Sequence, residues 1–203
     1  MPLASFARAF LAAAATFAAA ALPAAAQTVN PPLAAGNGPF AAAVNPVTNR
    51  IYIASEFSNA VTVIDGETNA TTSIPVGTRP EFIAVNPVTN KVYVNNALDS
   101  TLTEIDGATN TPTTYTIGSW GPISINPVTN KVYVVRFTGP STDEVTVFDA
   151  DTKTWYTMAT LSFQPVAMAL NPVTNMLYVA HYASGHIRAI DGDGTVRCSA
   201  YPE

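Results

Sequence analysis

Cysteine and histidine are nearly absent from this 203-residue chain, which holds one Cys, Cys198, and two His, His181 and His186. A single thiol excludes an internal disulfide, and two imidazoles leave little for a His-rich metal centre. Charge is sparse as well. Charged residues make up 11% of the chain, and acids outnumber bases 14 to 9 for a formal net charge of −5. Lys and Arg form no block, which argues against nucleic acid or an anionic membrane surface as a partner. No Gly-x-Ser-x-Gly elbow, phosphate-binding loop, dinucleotide fingerprint or Cys-x-x-Cys-His haem site occurs. No helix-period apolar pattern builds up after residue 27, because prolines and β-branched residues interrupt it. At 48% hydrophobic residues, the chain is still apolar enough for a folded core.

The longest apolar run lies at the start, where Arg8 precedes an Ala-rich stretch over 9–22, then Pro23 and Ala24, Ala25 and Ala26. The run is shorter than the roughly 20 residues a helix needs to cross a bilayer. Small residues at 24 and 26 suit signal peptidase. Residues 1–26 are therefore expected to be a cleaved signal peptide and 27–37 a linker, with no membrane span after cleavage. In an oxidising compartment the odd Cys198 is either buried and inert or exposed and able to pair between chains.

What the rest of the chain has is repetition. Asn-Pro-Val-Thr-Asn occurs four times, at 45–49, 86–90, 126–130 and 171–175, with starts 41, 40 and 45 residues apart. Each copy leads into a strand-like run, at 50–53, 91–94, 131–134 and 176–179, with a tyrosine in register: Tyr52, Tyr93, Tyr133 and Tyr178. A second mark follows, Asp-Gly at 65–66, 106–107 and 191–192 and Asp-Ala at 149–150, each closing a further run at 61–64, 102–105, 187–190 and 145–148. First strands at 40–44, 81–85, 122–125 and 166–170, and last strands such as 71–76 and 113–117, complete four per unit. Four short strands per repeat of this length predict an all-β fold, a β-propeller of about four four-stranded blades, whole or partial. The blades are placed at 38–78, 79–119, 120–163 and 164–203.

The turn residues have structural duties. Proline after asparagine presets the turn backbone, and the asparagine side chains can bond turn amides. In the Asp-Gly turns the aspartate is expected to cap amides while glycine takes a positive φ. The four tyrosines are expected to pack between blades.

Asn-Pro-Val-Thr-Asn-Lys-Val-Tyr-Val-Asn at 86–95 and Val-Ile-Asp-Gly-Glu-Thr-Asn at 63–69 resemble the YVTN-type β-propeller repeat, over roughly residues 38–195. The resemblance implies a secreted or surface-layer protein of bacteria or archaea, and a binding or scaffold module more than an enzyme. With the Ala-rich leader it places the protein in the periplasm or on the surface of a bacterium. Such propellers commonly have seven blades, whereas four are present here. A closed four-blade ring, an open arc that pairs with a second copy as a homodimer, and a piece of a longer protein all remain open. An open arc would expose apolar blade faces and favour self-association.

The ligand site is sought where the four repeats diverge. The connections between second and third strands, and those between blades, vary in length and chemistry and share one face of a propeller. Phe57, Arg79, Asp99, Trp120, Arg136, His181 and Tyr182 gather there. Phe57, Trp120 and Tyr182 would act as flat contacts, and Arg79 and Arg136 would pair with an anionic group of a protein or small-molecule ligand. No catalytic residue, metal ligand or cofactor is expected. The alternative is a lactonase-like hydrolase of a small polar substrate working on this face, with acidic or histidine residues and a divalent ion.

Overall fold

The computed structural model describes residues 32–118, 120–138, 142–161, 164–182, 185–192 and 196–199, with side chains as far as residue 192. The expected signal peptide, linker residues 27–31 and the side chain of Cys198 lie outside these residues. The chain divides between Pro32 and Leu33 into two units, and the second carries the fold described below.

Among the described residues sixteen strands form four separate four-stranded sheets, each an antiparallel meander in sequence order. Blade 1 comprises β1 (Pro39–Asn45), β2 (Arg50–Ser55), β3 (Ala60–Asp65) and β4 (Thr71–Pro75). Blade 2 comprises β5 (Pro80–Asn86), β6 (Lys91–Asn96), β7 (Thr101–Asp106) and β8 (Pro112–Thr116). Blade 3 comprises β9 (Ile123–Asn126), β10 (Lys131–Phe137), β11 (Asp143–Asp149) and β12 (Thr154–Leu161). Blade 4 comprises β13 (Pro165–Asn171), β14 (Met176–His181), β15 (Ile187–Asp191) and β16 (Val196–Ser199). The first strands of successive blades pack on one another in series, β1 on β5, β5 on β9 and β9 on β13. This is the β-propeller arrangement the repeats predict, with strand ends within three residues of the bounds expected for them.

The core is divided among the blade junctions. Tyr52, Val61, Val63 and Ile74 of blade 1 pack with Val92, Val94 and Ile105 of blade 2. Tyr93, Leu102 and Ile117 pack with Val132, Val134 and Phe148 at the next boundary. Tyr133, Val145, Val147 and Leu161 pack with Leu177, Val179 and Ile190 at the last. Period-two alternation explains the pattern: in the second strand of a blade the tyrosine faces the following blade and its two neighbours face the preceding one. Tyr52, Tyr93 and Tyr133 are fully buried, as expected of junction residues. Tyr178 departs from the expectation and is 41% exposed, because among the described residues no blade packs on that face of blade 4.

The pentapeptide turns join blades as well as strands. The side-chain oxygens of Asn45, Asn86, Asn126 and Asn171 accept the amides of Val47, Val88, Val128 and Val173 at 2.9–3.0 Å. The last asparagine of each turn, Asn49, Asn90, Asn130 or Asn175, lies at φ 51–53°, a left-handed conformation that asparagine tolerates better than most residues. Asn45 Nδ2 then donates to Asn90 Oδ1 at 2.9 Å, Asn86 Nδ2 to Asn130 Oδ1 at 2.9 Å and Asn126 Nδ2 to Asn175 Oδ1 at 2.7 Å. Each blade thus hands a hydrogen to the next.

The Asp-Gly turns depart from the expectation in one respect. The aspartates cap as predicted, Asp65 Oδ1 accepting the amides of Glu67 and Thr68, and Asp106 Oδ1 those of Ala108 and Thr109. The left-handed residues, however, are Asn69, Asn110 and Lys153 at φ 59°, four positions after the aspartate. Glycine serves close approach instead. A Cβ on Gly66 would lie 2.7 Å from the Asn49 carbonyl oxygen, which accepts the Gly66 amide at 2.8 Å. In blade 3, where Ala150 replaces glycine, the equivalent bond to Asn130 lengthens to 3.1 Å.

Candidate functional site

At the opposite end of the blades from these tight turns, the turn after the second strand is tied in blades 1, 2 and 4 to the segment that enters the same blade. Glu56 and Phe57 donate their amides to Gly38 and Asn37, Ala97 and Leu98 to Arg79 and Thr78, and Tyr182 to Gln164. Every entry segment ends in a left-handed residue followed by proline: Gly38 at φ 68°, Arg79 at 60°, Gly121 at 145° and Gln164 at 41°. Blades 1 and 3 place glycine there. Blades 2 and 4 hold side-chain-bearing residues in a conformation that costs an L-residue roughly 1–2 kcal/mol, so Arg79 and Gln164 are strained positions on the variable face.

Arg79 stands over an open groove of about 540 Å³ lined by Glu56, Phe57, Asn59, Thr78, Arg79 and Leu98. Blade 1 supplies one wall through the turn after β2, and blade 2 supplies the other through its entry segment and the turn after β6. Phe57 and Leu98 are 69% and 68% exposed, an unusual state for apolar side chains facing each other across a groove. Arg79 Nε lies 2.8 Å from both Glu56 Oε1 and Glu81 Oε1. Asn59 Oδ1 accepts the Arg79 amide at 2.9 Å and Asp99 Oδ2 accepts the Thr78 amide at 2.7 Å. Glu56 and Glu81 thus flank the Arg79 guanidinium, while Asp99 holds the neighbouring Thr78 backbone.

The other residues singled out from the sequence are spread along the same end of the molecule. Trp120 stacks on Phe137 with ring centroids 4.4 Å apart, and Gly121 leaves room for that ring, since a Cβ there would lie 2.8 Å from Phe137 Cε2. Arg136, next to Phe137, reaches Glu144 Oε2 at 3.5 Å on the paired strand. His181 is buried at the end of β14 and its amide donates to the His186 carbonyl at 3.0 Å, whereas Tyr182 beside it is exposed. The structure therefore brings Phe57 and Arg79 into one groove with Asp99 at its edge, sets Trp120 near Arg136 on blade 3, and leaves His181 and Tyr182 on blade 4.

Both arginines carry carboxylate partners, so neither stands as an isolated cation awaiting an anion. Asp99 is engaged in shaping the loop, its Oδ1 accepting the Thr101 hydroxyl at 2.7 Å. Sequence reasoning missed Glu56, Glu81 and Leu98. The first and last lie within the variable connections and were legible as candidates there, but Glu81 sits in β5 and looked like an ordinary strand residue. Among the described residues, no three His, Cys, Asp or Glu side chains come together in a way that could hold a metal ion.

No family model matches the chain, and no curated protein matches it. Solved structures similar to it include hydrazine synthase of Kuenenia stuttgartiensis, with a TM-score of 0.71, 22% identity, and coverage of 86% of this chain and 51% of that one. A protein of unknown function from Desulfotomaculum acetoxidans gives a TM-score of 0.63, 18% identity, and coverage of 81% and 58%. A 6-phosphogluconolactonase candidate from Bacteroides fragilis gives 0.61, 17%, and 81% and 57%. The chain thus spans between half and three-fifths of the length of these structures. At such identities the likeness establishes the propeller fold alone.

Proposed function

We propose that the protein is an exported binding module that captures a partner in the groove between blades 1 and 2. The observation that carries this reading is the pair of exposed apolar side chains, Phe57 and Leu98, in one groove with the Glu56–Arg79 ion pair. Two largely exposed hydrophobic side chains beside fixed charges suit an apolar anchor with a basic neighbour, such as a Lys- or Arg-flanked aromatic or aliphatic residue of a peptide. The left-handed backbone at Arg79 supports it, because local strain that a glycine would relieve tends to persist where geometry serves a site. Export is supported by the leader over 1–26 and places this capture in the periplasm or at the cell surface.

Selection of random displayed peptides on the purified chain tests the reading. Enriched sequences should pair an apolar residue with Lys or Arg, and Phe57→Ala together with Leu98→Ala should weaken their binding at least tenfold. Enrichment that both substitutions leave unchanged would place the binding surface elsewhere. N-terminal sequencing of the exported protein should begin at Gln27.

A second reading, lactone hydrolysis on the same face, takes its support from the fold likeness to the Bacteroides fragilis protein. Turnover of a sugar lactone that a chelator abolishes would favour it over capture.

A further inference from the structure

We propose that blade 4 of one chain docks on blade 1 of a second copy, and that two such junctions close a ring of two four-blade arcs. The internal repeats show what an uncovered blade face needs. At all three junctions within the chain the second-strand tyrosine and the third-strand residues Val61, Leu102 and Val145 are fully buried against the next blade. Their blade 4 counterparts are Tyr178, which pairs with Ala189 as Tyr133 pairs with Val147, and Ile187, opposite Ala180. Tyr178 is 41% and Ile187 57% exposed. Asn171, whose counterparts Asn45, Asn86 and Asn126 are fully buried and donate across a junction, is also exposed.

Blade 1 presents the complementary half. The residues that receive a preceding tyrosine are Val92, Val94 and Ile105 in blade 2, and Leu177, Val179 and Ile190 in blade 4. In blade 1 the same positions are Ile51, Ile53 and Ile64, on which no blade packs among the described residues. Ile53 floors a shallow apolar pocket of about 170 Å³ with Pro39, Phe40, Ala41 and Ala42, and Phe40 is 57% exposed. Asn49 holds the same left-handed turn position as the acceptors Asn90, Asn130 and Asn175. What blade 4 lacks is what blade 1 offers, in side-chain volume and in hydrogen-bond polarity.

Within one chain β13 and β1 do not pack as neighbouring first strands do, which leaves both faces open to a second copy. Because a donor face meets an acceptor face, the contact is head to tail, and closure by a two-fold axis satisfies all four ends. Four blades from each chain give eight, inside the roughly four to eight that propellers use. The groove between blades 1 and 2 lies away from these faces, so this proposal and the capture reading stand or fall separately.

Sedimentation and light scattering of the purified chain over a wide concentration range test it. The expected result is a discrete particle of twice the chain mass. Ile53→Lys and Tyr178→Lys should each yield folded monomer by circular dichroism, and mixing the two should restore a one-to-one dimer through the single intact junction. A Cys198→Ser chain carrying Asn49→Cys and Asn171→Cys should form a disulfide-linked dimer on mild oxidation, even if a lysine variant fails to fold. A monomer at every concentration, an open-ended series of masses, or a dimer that persists through both lysine substitutions would each overturn the proposal.

Discussion

Asn86 and Asn130 lie 44 positions apart and share one hydrogen bond, Asn86 Nδ2 to Asn130 Oδ1 at 2.9 Å, across the boundary between blades 2 and 3. The same Asn86 accepts the amides of Val88 and Thr89 at 3.0 and 3.3 Å. One fully buried side chain therefore closes a turn and staples two sheets.

Asn86→Asp keeps the turn acceptor and removes the donor, so it isolates the staple. It should destabilise by about 1–2 kcal/mol, and Asn86→Ala by about 2 kcal/mol or more, since alanine also strands the turn amides. Urea titration of both variants checks this; an aspartate variant as stable as the parent would remove the staple from the account.

Acid should weaken the protein through its turn aspartates. The Lys91 ammonium at 2.8 Å and the amides of Ala108 and Thr109 hold the Asp106 carboxyl down at about 2, against about 3.9 in an unfolded chain. A depressed carboxyl contributes stability that is complete above the unfolded value and lost as pH falls from about 4 towards about 2. Asp65 and Asp149 shift in the same direction, chiefly through backbone amides. Asp106→Asn keeps the turn cap and loses the charge, so the stability drop between pH 5 and pH 2.5 should shrink by about 1 kcal/mol or less, the Lys91 pair being partly exposed. Denaturant midpoints across that range decide it, and an unchanged acid profile counts against the assignment.

Tyr133 separates volume from hydroxyl. Its ring fills the junction between blades 3 and 4, and among the described residues its buried hydroxyl meets no hydrogen-bond partner. Tyr133→Ala should cost about 3–5 kcal/mol, whereas Tyr133→Phe should stay within about 1 kcal/mol of the parent. Equal losses for the two variants would mean the hydroxyl matters more than the ring.

Gln164 offers a gain. It lies at φ 41° before Pro165, where blades 1 and 3 carry glycine, and its structural contribution is a carbonyl that accepts the Tyr182 amide. Gln164→Gly keeps that carbonyl and relieves the left-handed strain, so thermal stability should rise by about 0.5–1 kcal/mol. A lower melting temperature would show that the side chain contributes packing.

Much of this was written in the repeats. Four copies of one pentapeptide fixed the blade number, the strand order and the inward direction of Tyr52, Tyr93 and Tyr133, because register follows from period-two alternation once a turn is anchored. The reach of Asn86 to Asn130 was not legible, since a contact between equivalent turns of successive blades depends on how the sheets fan around one another. Nor was the role of Gly66, which looked like a positive-φ glycine and instead makes room for the Asn49 carbonyl. At the groove, divergence among repeats pointed to Phe57 and Arg79. The pairing of Arg79 with Glu81 was hidden because Glu81 occupies a strand position that its sequence neighbours make look routine.

The division of the apolar interior among boundaries bears on how such a chain changes length. Each of the three clusters is completed by two adjacent sheets and by nothing farther away, so duplicating one unit, such as the 41 residues from Asn45 to Val85, would add another boundary of the same composition without redesigning those already present. Growth and loss of whole units by unequal recombination are then tolerated, and the identity of the four pentapeptides fits a lineage that has expanded in that way.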